Sequence, residues 1–151
     1  MKKLILIDDH KMLRKGISSF FTENSDWEIF AEAESLSQVQ EIISSCSRSE
    51  DYFVAVVDIQ LKESKENSFS GFTAIKELSE AGIPSVVFSS HDSGACIERA
   101  MSAEVGAKGF VSKLSDEKML LDAVNTISEG KTFVQPDLIT SFMEPIHFFL
   151  C

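Results

Sequence analysis

The sequence is short of basic residues, of cysteine and of long apolar runs, and each shortage excludes something. Lys and Arg number 14 against 24 Asp and Glu, a formal charge of −10. Non-specific affinity for nucleic acid comes from Lys and Arg neutralising phosphates, so this chain is not expected to bind DNA or RNA by itself. A metal ion or a basic partner surface suits the charge better. Cys46, Cys96 and Cys151 are odd in number, far apart and outside any metal-ligand spacing, which predicts free thiols in a reducing compartment. The apolar run Leu4-Ile5-Leu6-Ile7 is too short for a signal-peptide core or a membrane span, so the expected location is the cytoplasm, away from the membrane. Internal repeats and low-complexity segments are also missing. What is present is ordinary globular composition, 44% apolar and 25% charged over 151 residues, enough for one domain with a proper core.

Strand and helix patterns alternate along the chain. Leu4–Ile7 reads as a short buried strand ending in Asp8 and Asp9. From His10, Met12, Leu13, Ile17, Phe20 and Phe21 recur at helical spacing, with Lys11, Arg14 and Lys15 assigned to the opposite face. Trp27–Ala33 alternates as an edge strand would. Ser35 is placed to cap a helix carrying Leu36, Val39, Ile42 and Ile43. Tyr52-Phe53-Val54-Ala55-Val56-Val57 is a strand buried on both faces that runs straight into Asp58. Leu61–Ser70 is mostly polar and aperiodic, which predicts a flexible loop, and Gly71 opens a helix that Gly82 stops. Ser85–Phe88 forms the next strand, running into Ser89 and Ser90. Asp92 or Ser93 caps a helix reaching Gly106. Lys108–Ser112 is a short strand ending at Lys113, and Ser115-Asp116-Glu117 begins a helix stopped by Gly130. Five alternations predict an α/β fold, a parallel sheet with helices on both faces. The expected division is a domain over 1–130 and a linker or C-terminal tail over 131–151.

In such a sheet the strand tips are the open ligand edge. They deliver Asp8 and Asp9, Asp58, Ser89 and Ser90, and Lys113. Clustered carboxylates repel one another unless a cation sits among them, and Mg²⁺ is a hard ion that takes oxygen ligands. An incoming phosphoryl group would then meet the cation on one side and Lys113 on another, with a serine hydroxyl on one of its oxygens, while Asp58 attacks phosphorus.

Ile7-Asp8-Asp9-His10, Asp58 closing its strand, Ser89 after Val-Val-Phe and Lys113 after Gly109-Phe110-Val111-Ser112 together resemble the receiver domain of two-component response regulators. The Phe-Ser-Ser-His-Asp run and a Lys113 not followed by proline are most similar to receivers that precede a LuxR-type helix-turn-helix domain. The resemblance implies a flavodoxin-like fold, a five-stranded sheet of order 2-1-3-4-5. It implies Asp58 as phosphoacceptor, Asp9 as a direct Mg²⁺ ligand, Asp8 supporting the metal and Gln60 supplying a backbone carbonyl. Ser89 is then the switch hydroxyl that moves toward the phosphoryl group, Lys113 the counter-cation of that group, and Phe110 the aromatic whose rotamer follows Ser89. The implied partner is a sensor histidine kinase, with transcription regulation as the setting and no turnover of an external substrate.

Two other functions fit parts of the same pattern. A haloacid-dehalogenase-like phosphohydrolase also uses a strand-end Asp with Mg²⁺, but wants a second Asp two residues on, where this chain has Gln60. A receiver-like interaction module that never takes phosphate would be marked by a lost acid or lysine, and none is lost. Asp8 and Asp9 alone could be caps of the first helix, and His10 and His91 suit surface or capping roles better than metal binding. The chain departs from the receiver pattern in the long stretch between Asp58 and Gly71, in Leu61-Lys62 where Met-Pro is common, in Ser90 for alanine and in Leu114 after Lys113. Gly130–Asp137 resembles the lead-in to a LuxR-type domain, and the apolar end Ile146–Leu150 could pack on a partner chain, making a homodimer one of the expectations.

Overall fold

A computed structural model describes residues 1–60 and 70–139. The elements follow in the order β1 (Lys2–Ile7), α1 (Lys11–Asn24), β2 (Glu28–Ala33), α2 (Leu36–Cys46), β3 (Tyr52–Val57), α3 (Ser70–Glu80), β4 (Ser85–Ser89), α4 (Gly94–Met101), β5 (Gly109–Ser112), α5 (Glu117–Ser128) and β6 (Phe133–Val134). Every neighbouring pair of strands is parallel, and the sheet order is β2-β1-β3-β4-β5-β6. The five expected strands are present in the expected order. The sixth is an addition: two residues are too few to show a periodicity, and their place is set by pairing with β5. The loop expected over Leu61–Ser70 lies outside the described residues except for Ser70, which opens α3. Ile146–Leu150 and Cys151 also lie outside them.

Alternate residues of each strand feed two cores, as the period-two pleat requires. Leu4, Leu6, Val54 and Val56 pack against Ile17 and Phe21 of α1 and Leu120, Val124 and Ile127 of α5. Ile5, Ile7, Ala55 and Val57 pack against Val39 of α2, Ile75 and Leu78 of α3 and Ile97 of α4. Each buried Val, Leu, Ile or Phe contributes about 1.5–3 kcal/mol by leaving water, so the sheet is held from both sides and only its ends stay open. Helix starts are capped by Ser35, which accepts from Gln38 N, by Ser93, which accepts from Cys96 N, and by Asp116, which accepts from Met119 N. Two expectations need correction. The fourth helix stops at Met101 instead of reaching Gly106, because the Ser102 hydroxyl donates to Arg99 O and accepts from Val105 N, drawing the backbone into a turn. On α1, Met12 points outward at 87% exposure and Arg14 points inward, so the buried stripe is Arg14, Ile17 and Phe21.

Candidate functional site

The sheet changes direction between β1 and β3. From β1 the chain crosses one way to β2, then returns to place β3 on β1's other side, and the crevice at such a point is where doubly wound sheets bind ligands. Asp8 and Asp9 leave β1 there and Asp58 leaves β3. The backbone fixes them: Asp8 N donates to Ala33 O at 3.0 Å and Asp58 N donates to Ile7 O at 2.9 Å. From β5, the Lys113 ammonium reaches across to Asp8 Oδ2 at 2.9 Å and Asp58 Oδ2 at 3.2 Å. Lys113 N in turn donates to Ser89 O of β4 at 3.0 Å, so four strand tips are tied into one cluster.

The electrostatics are those of acids taken out of water. Asp8 and Asp58 are buried. Burial pushes the Asp58 carboxyl above the ordinary aspartate value; Lys113 pulls it back, the Asp8 charge adds to the rise, and the net direction is up. For Lys113, burial draws the ammonium down, but its hydrogen bond to Asp8 and the charges of Asp58 and Asp8 outweigh this and hold it above the ordinary lysine value. One lysine therefore serves two acids, and a third acid stands beside them. Asp9 Oδ1 is buried and makes no hydrogen bond, although the His10 ring nitrogen lies 3.0 Å away. Asp8, Asp9, His10 and Asp58 each offer one ligand atom, all within 4.8 Å of one another. A buried carboxylate oxygen that makes no hydrogen bond, beside two further carboxylates, fits a divalent cation.

The other residues singled out by sequence fall as follows. Ser89 is fully buried and its Oγ accepts from His91 N at 3.0 Å, while Ser90 is exposed. Gln60 N lies 3.4 Å from Asp58 Oδ1, and the Gln60 side-chain oxygen lies 2.9 Å from His91 Nε2, linking the segment after β3 to that after β4. Phe110 is wholly buried in the core on the α3 and α4 side. Asp8 and Asp9 are not side-chain caps of α1: His10 holds the cap position without a side-chain bond, and Asp8 Oδ1 accepts from His10 N in a local turn. His10 is exposed, and its Nδ1 lies 2.8 Å from Asp8 Oδ1. Gly71 brings α3 against the end of β3; its N donates to Ile59 O at 2.7 Å, and a Cβ there would collide with the carbonyl oxygens of Asp58 and Ile59. Arg14 is the residue that sequence reasoning missed. Its spacing from Ile17 and Phe21, three and seven positions, already puts it on the buried stripe.

Acids and a lysine gathered at the switch point of a parallel sheet define an α/β protein of the doubly wound, flavodoxin-like class, with a cation-ready acidic pocket. The chain belongs to the response regulator receiver domain family, whose pattern it matches over residues 4–125. It is 30% identical over 138 residues to the transcriptional regulatory protein UhpA of Salmonella typhimurium, covering 91% of this chain and 64% of that protein. It is 23% identical over 145 residues to YdfI of Bacillus subtilis, covering 95% of this chain and 63% of that protein. The chain thus spans less than two thirds of the length of these curated relatives. Its fold is that of a LuxR-family two-component response regulator from Aurantimonas sp., with a TM-score of 0.79 at 22% identity, covering 95% of this chain and 96% of the other.

Proposed function

We propose that this chain is the phosphorylation-switched receiver of a two-component system, with Asp58 as the acceptor of a phosphoryl group from a sensor histidine kinase. The observation that carries this reading is the Lys113 ammonium lying within 3.2 Å of Asp58 Oδ2, at a strand tip beside a buried Asp9 oxygen that makes no hydrogen bond. One acid is held by the lysine for attack, and another stands beside it to hold a cation.

In the transfer, an Asp58 carboxylate oxygen forms its bond to phosphorus as the phosphorus–nitrogen bond of the donor imidazole breaks, and the electron pair stays on that nitrogen. Lys113 neutralises charge on the phosphoryl oxygens, and the Ser89 hydroxyl donates to one of them. Asp9, Asp58 and the Gln60 carbonyl would hold Mg²⁺, with Asp8 in support. That ion, when bound, neutralises further phosphoryl charge. The added phosphoryl carries close to two negative charges into the cluster. Ser89 then leaves His91 N to reach it, and Phe110, its ring filling the core two residues before Ser112, follows the space Ser89 vacates. The response is a population shift at the surface of α4, β5 and α5, available to a partner or a second copy of the chain.

The receiver unit is 1–130, and the linker or tail over 131–151 begins packed on it, through β6, Gln135 and Leu138. DNA binding would belong to another domain, the setting is the cytoplasm, and the role is signalling without turnover of an external substrate. Nothing favours a phosphohydrolase, since Gln60 holds the position of its general acid and faces His91. Beryllofluoride with Mg²⁺ tests the reading by amide NMR. Shifts are expected at Ser89, Phe110 and Lys113, and are lost in Asp58→Asn; an unchanged spectrum of the parent contradicts it.

A further inference from the structure

We propose that Arg14 is a positioning residue for the acid pair: through the Asp8 carbonyl it sets the peptide plane from which the Asp9 carboxylate is aimed at the cation. The inference rests on the receiver reading, because it assigns Asp9 a cation to hold.

Arg14 is the one buried Lys or Arg among the described residues. It occupies the buried stripe of α1 with Ile17 and Phe21, a position where a charged side chain is costly unless its partners repay it. Its guanidinium has three partners on three sides. Nε donates to Glu32 Oε1 at 2.9 Å, Nη2 donates to Glu34 Oε1 at 3.2 Å, and Nη1 donates to the backbone oxygen of Asp8. The glutamates do not require it, since their side chains are 40% and 33% exposed and water can solvate them. The Asp8 carbonyl does, because that contact is buried. Buried ion pairs are weak evidence for stability, so the gain must be sought in geometry.

The geometry is direct. The Asp8 carbonyl and the Asp9 N–H share one rigid peptide plane. Asp8 N is anchored on Ala33 O, and Arg14 grips the far side of the same residue. With both ends of Asp8 held, the chain enters Asp9 in a fixed direction. Glu32 and Glu34, at and beyond the end of β2, fix the guanidinium in its turn. The arrangement is an outer layer of support for a first-layer ligand, and losing such support commonly weakens metal binding 10–100-fold.

The sign of the effect separates positioning from plain electrostatics. Removing a positive charge close to three acids would by Coulomb's law tighten Mg²⁺ binding. Positioning requires the opposite. The test measures the Mg²⁺ dissociation constant by titration calorimetry, and the thermal midpoint in metal-free buffer, for the parent, Arg14→Met, Arg14→Lys and the double variant Glu32→Gln/Glu34→Gln. Arg14→Met is expected to weaken Mg²⁺ binding by about tenfold or more. Arg14→Lys, which can hold the carbonyl but not all three partners, should lose less, and the double variant, which keeps Arg14 on the carbonyl, should stay within about twofold of the parent whatever its midpoint. Unchanged or tighter binding in Arg14→Met, with the parent binding normally, overturns the Arg14 role alone. A parent that binds no Mg²⁺ overturns the receiver reading as well. If both Arg14 variants fail to fold, Arg14 is a folding determinant and the positioning role is overturned.

Discussion

At the scale of single residues the site is a crowd of charges under-supplied with cations. Burial raises the Asp58 pKa, so the folded state takes up its proton more readily than the unfolded chain does. Ionised Asp58 therefore costs stability, fully so above its folded-state pKa and not at all below the unfolded value of 3.8. Asp58→Asn should raise the thermal midpoint of the metal-free protein at neutral pH, and the gain should shrink as pH falls toward that value; a midpoint lowered at pH 7 would contradict the assignment. Lys113 has the reverse linkage: its raised pKa contributes stability below 10.5 that is lost as pH rises through the folded value. Lys113→Met leaves Asp8 and Asp58 facing each other without the cation that bridges them. It should cost on the order of 3 kcal/mol in urea unfolding without metal, and Mg²⁺ should restore part of that. Asp8, Asp9, Asp58, Ser89 and Lys113 were legible because each closes an apolar strand, and a strand's end is visible in its sequence. Arg14 was not, because a basic residue on an amphipathic helix is usually solvated, and its partners Glu32 and Glu34 lie on a different element.

Two elements carry more than their length suggests. The start of α3 is pressed against the end of β3 so closely that Gly71 admits no side chain. Gly71→Ala should cost about 1–3 kcal/mol by urea denaturation and displace the segment beside Asp58, visible as shifts of the Asp58 and Ile59 amides. An alanine variant as stable as the parent would contradict the close approach. The strand β6 is the other case. Gln135, buried beside it, accepts from Ser112 N through Oε1 at 2.9 Å, and Leu138 is buried next to it in the core. Gln135→Ala would leave a buried N–H unpaired next to Lys113, at a cost of about 1–3 kcal/mol, with faster hydrogen exchange at Ser112 as the specific sign. β1 and β3 were readable from apolar runs of four or more residues, β2 from its alternation, and β4 and β5 from shorter apolar stretches between turn signals. The sixth has only Phe133 and Val134, and long-range pairing decides it. The end of α4 escaped for a related reason, since the Ser102 hydroxyl competes with the helix for backbone partners.

For the molecule as a whole, burying both faces of a parallel sheet leaves the strand ends as the one place where polar chemistry can gather, and β1 and β3, paired side by side along their whole length, supply all three acids there. A chain of net charge −10 that concentrates three carboxylates at one edge should be stabilised by a cation that binds only the folded state. Saturating Mg²⁺ at about a hundred times its dissociation constant should add about 2.7 kcal/mol, and a chelator should remove it. The central claim is that Asp58 accepts phosphate, and the most direct measurement is intact-mass analysis after incubation with acetyl phosphate and Mg²⁺, followed by borohydride trapping and peptide mapping. One phosphoryl adduct is expected, labile to base, dependent on Mg²⁺, mapping to Asp58 and absent from Asp58→Asn. No adduct, or an adduct that survives in Asp58→Asn, would contradict the account.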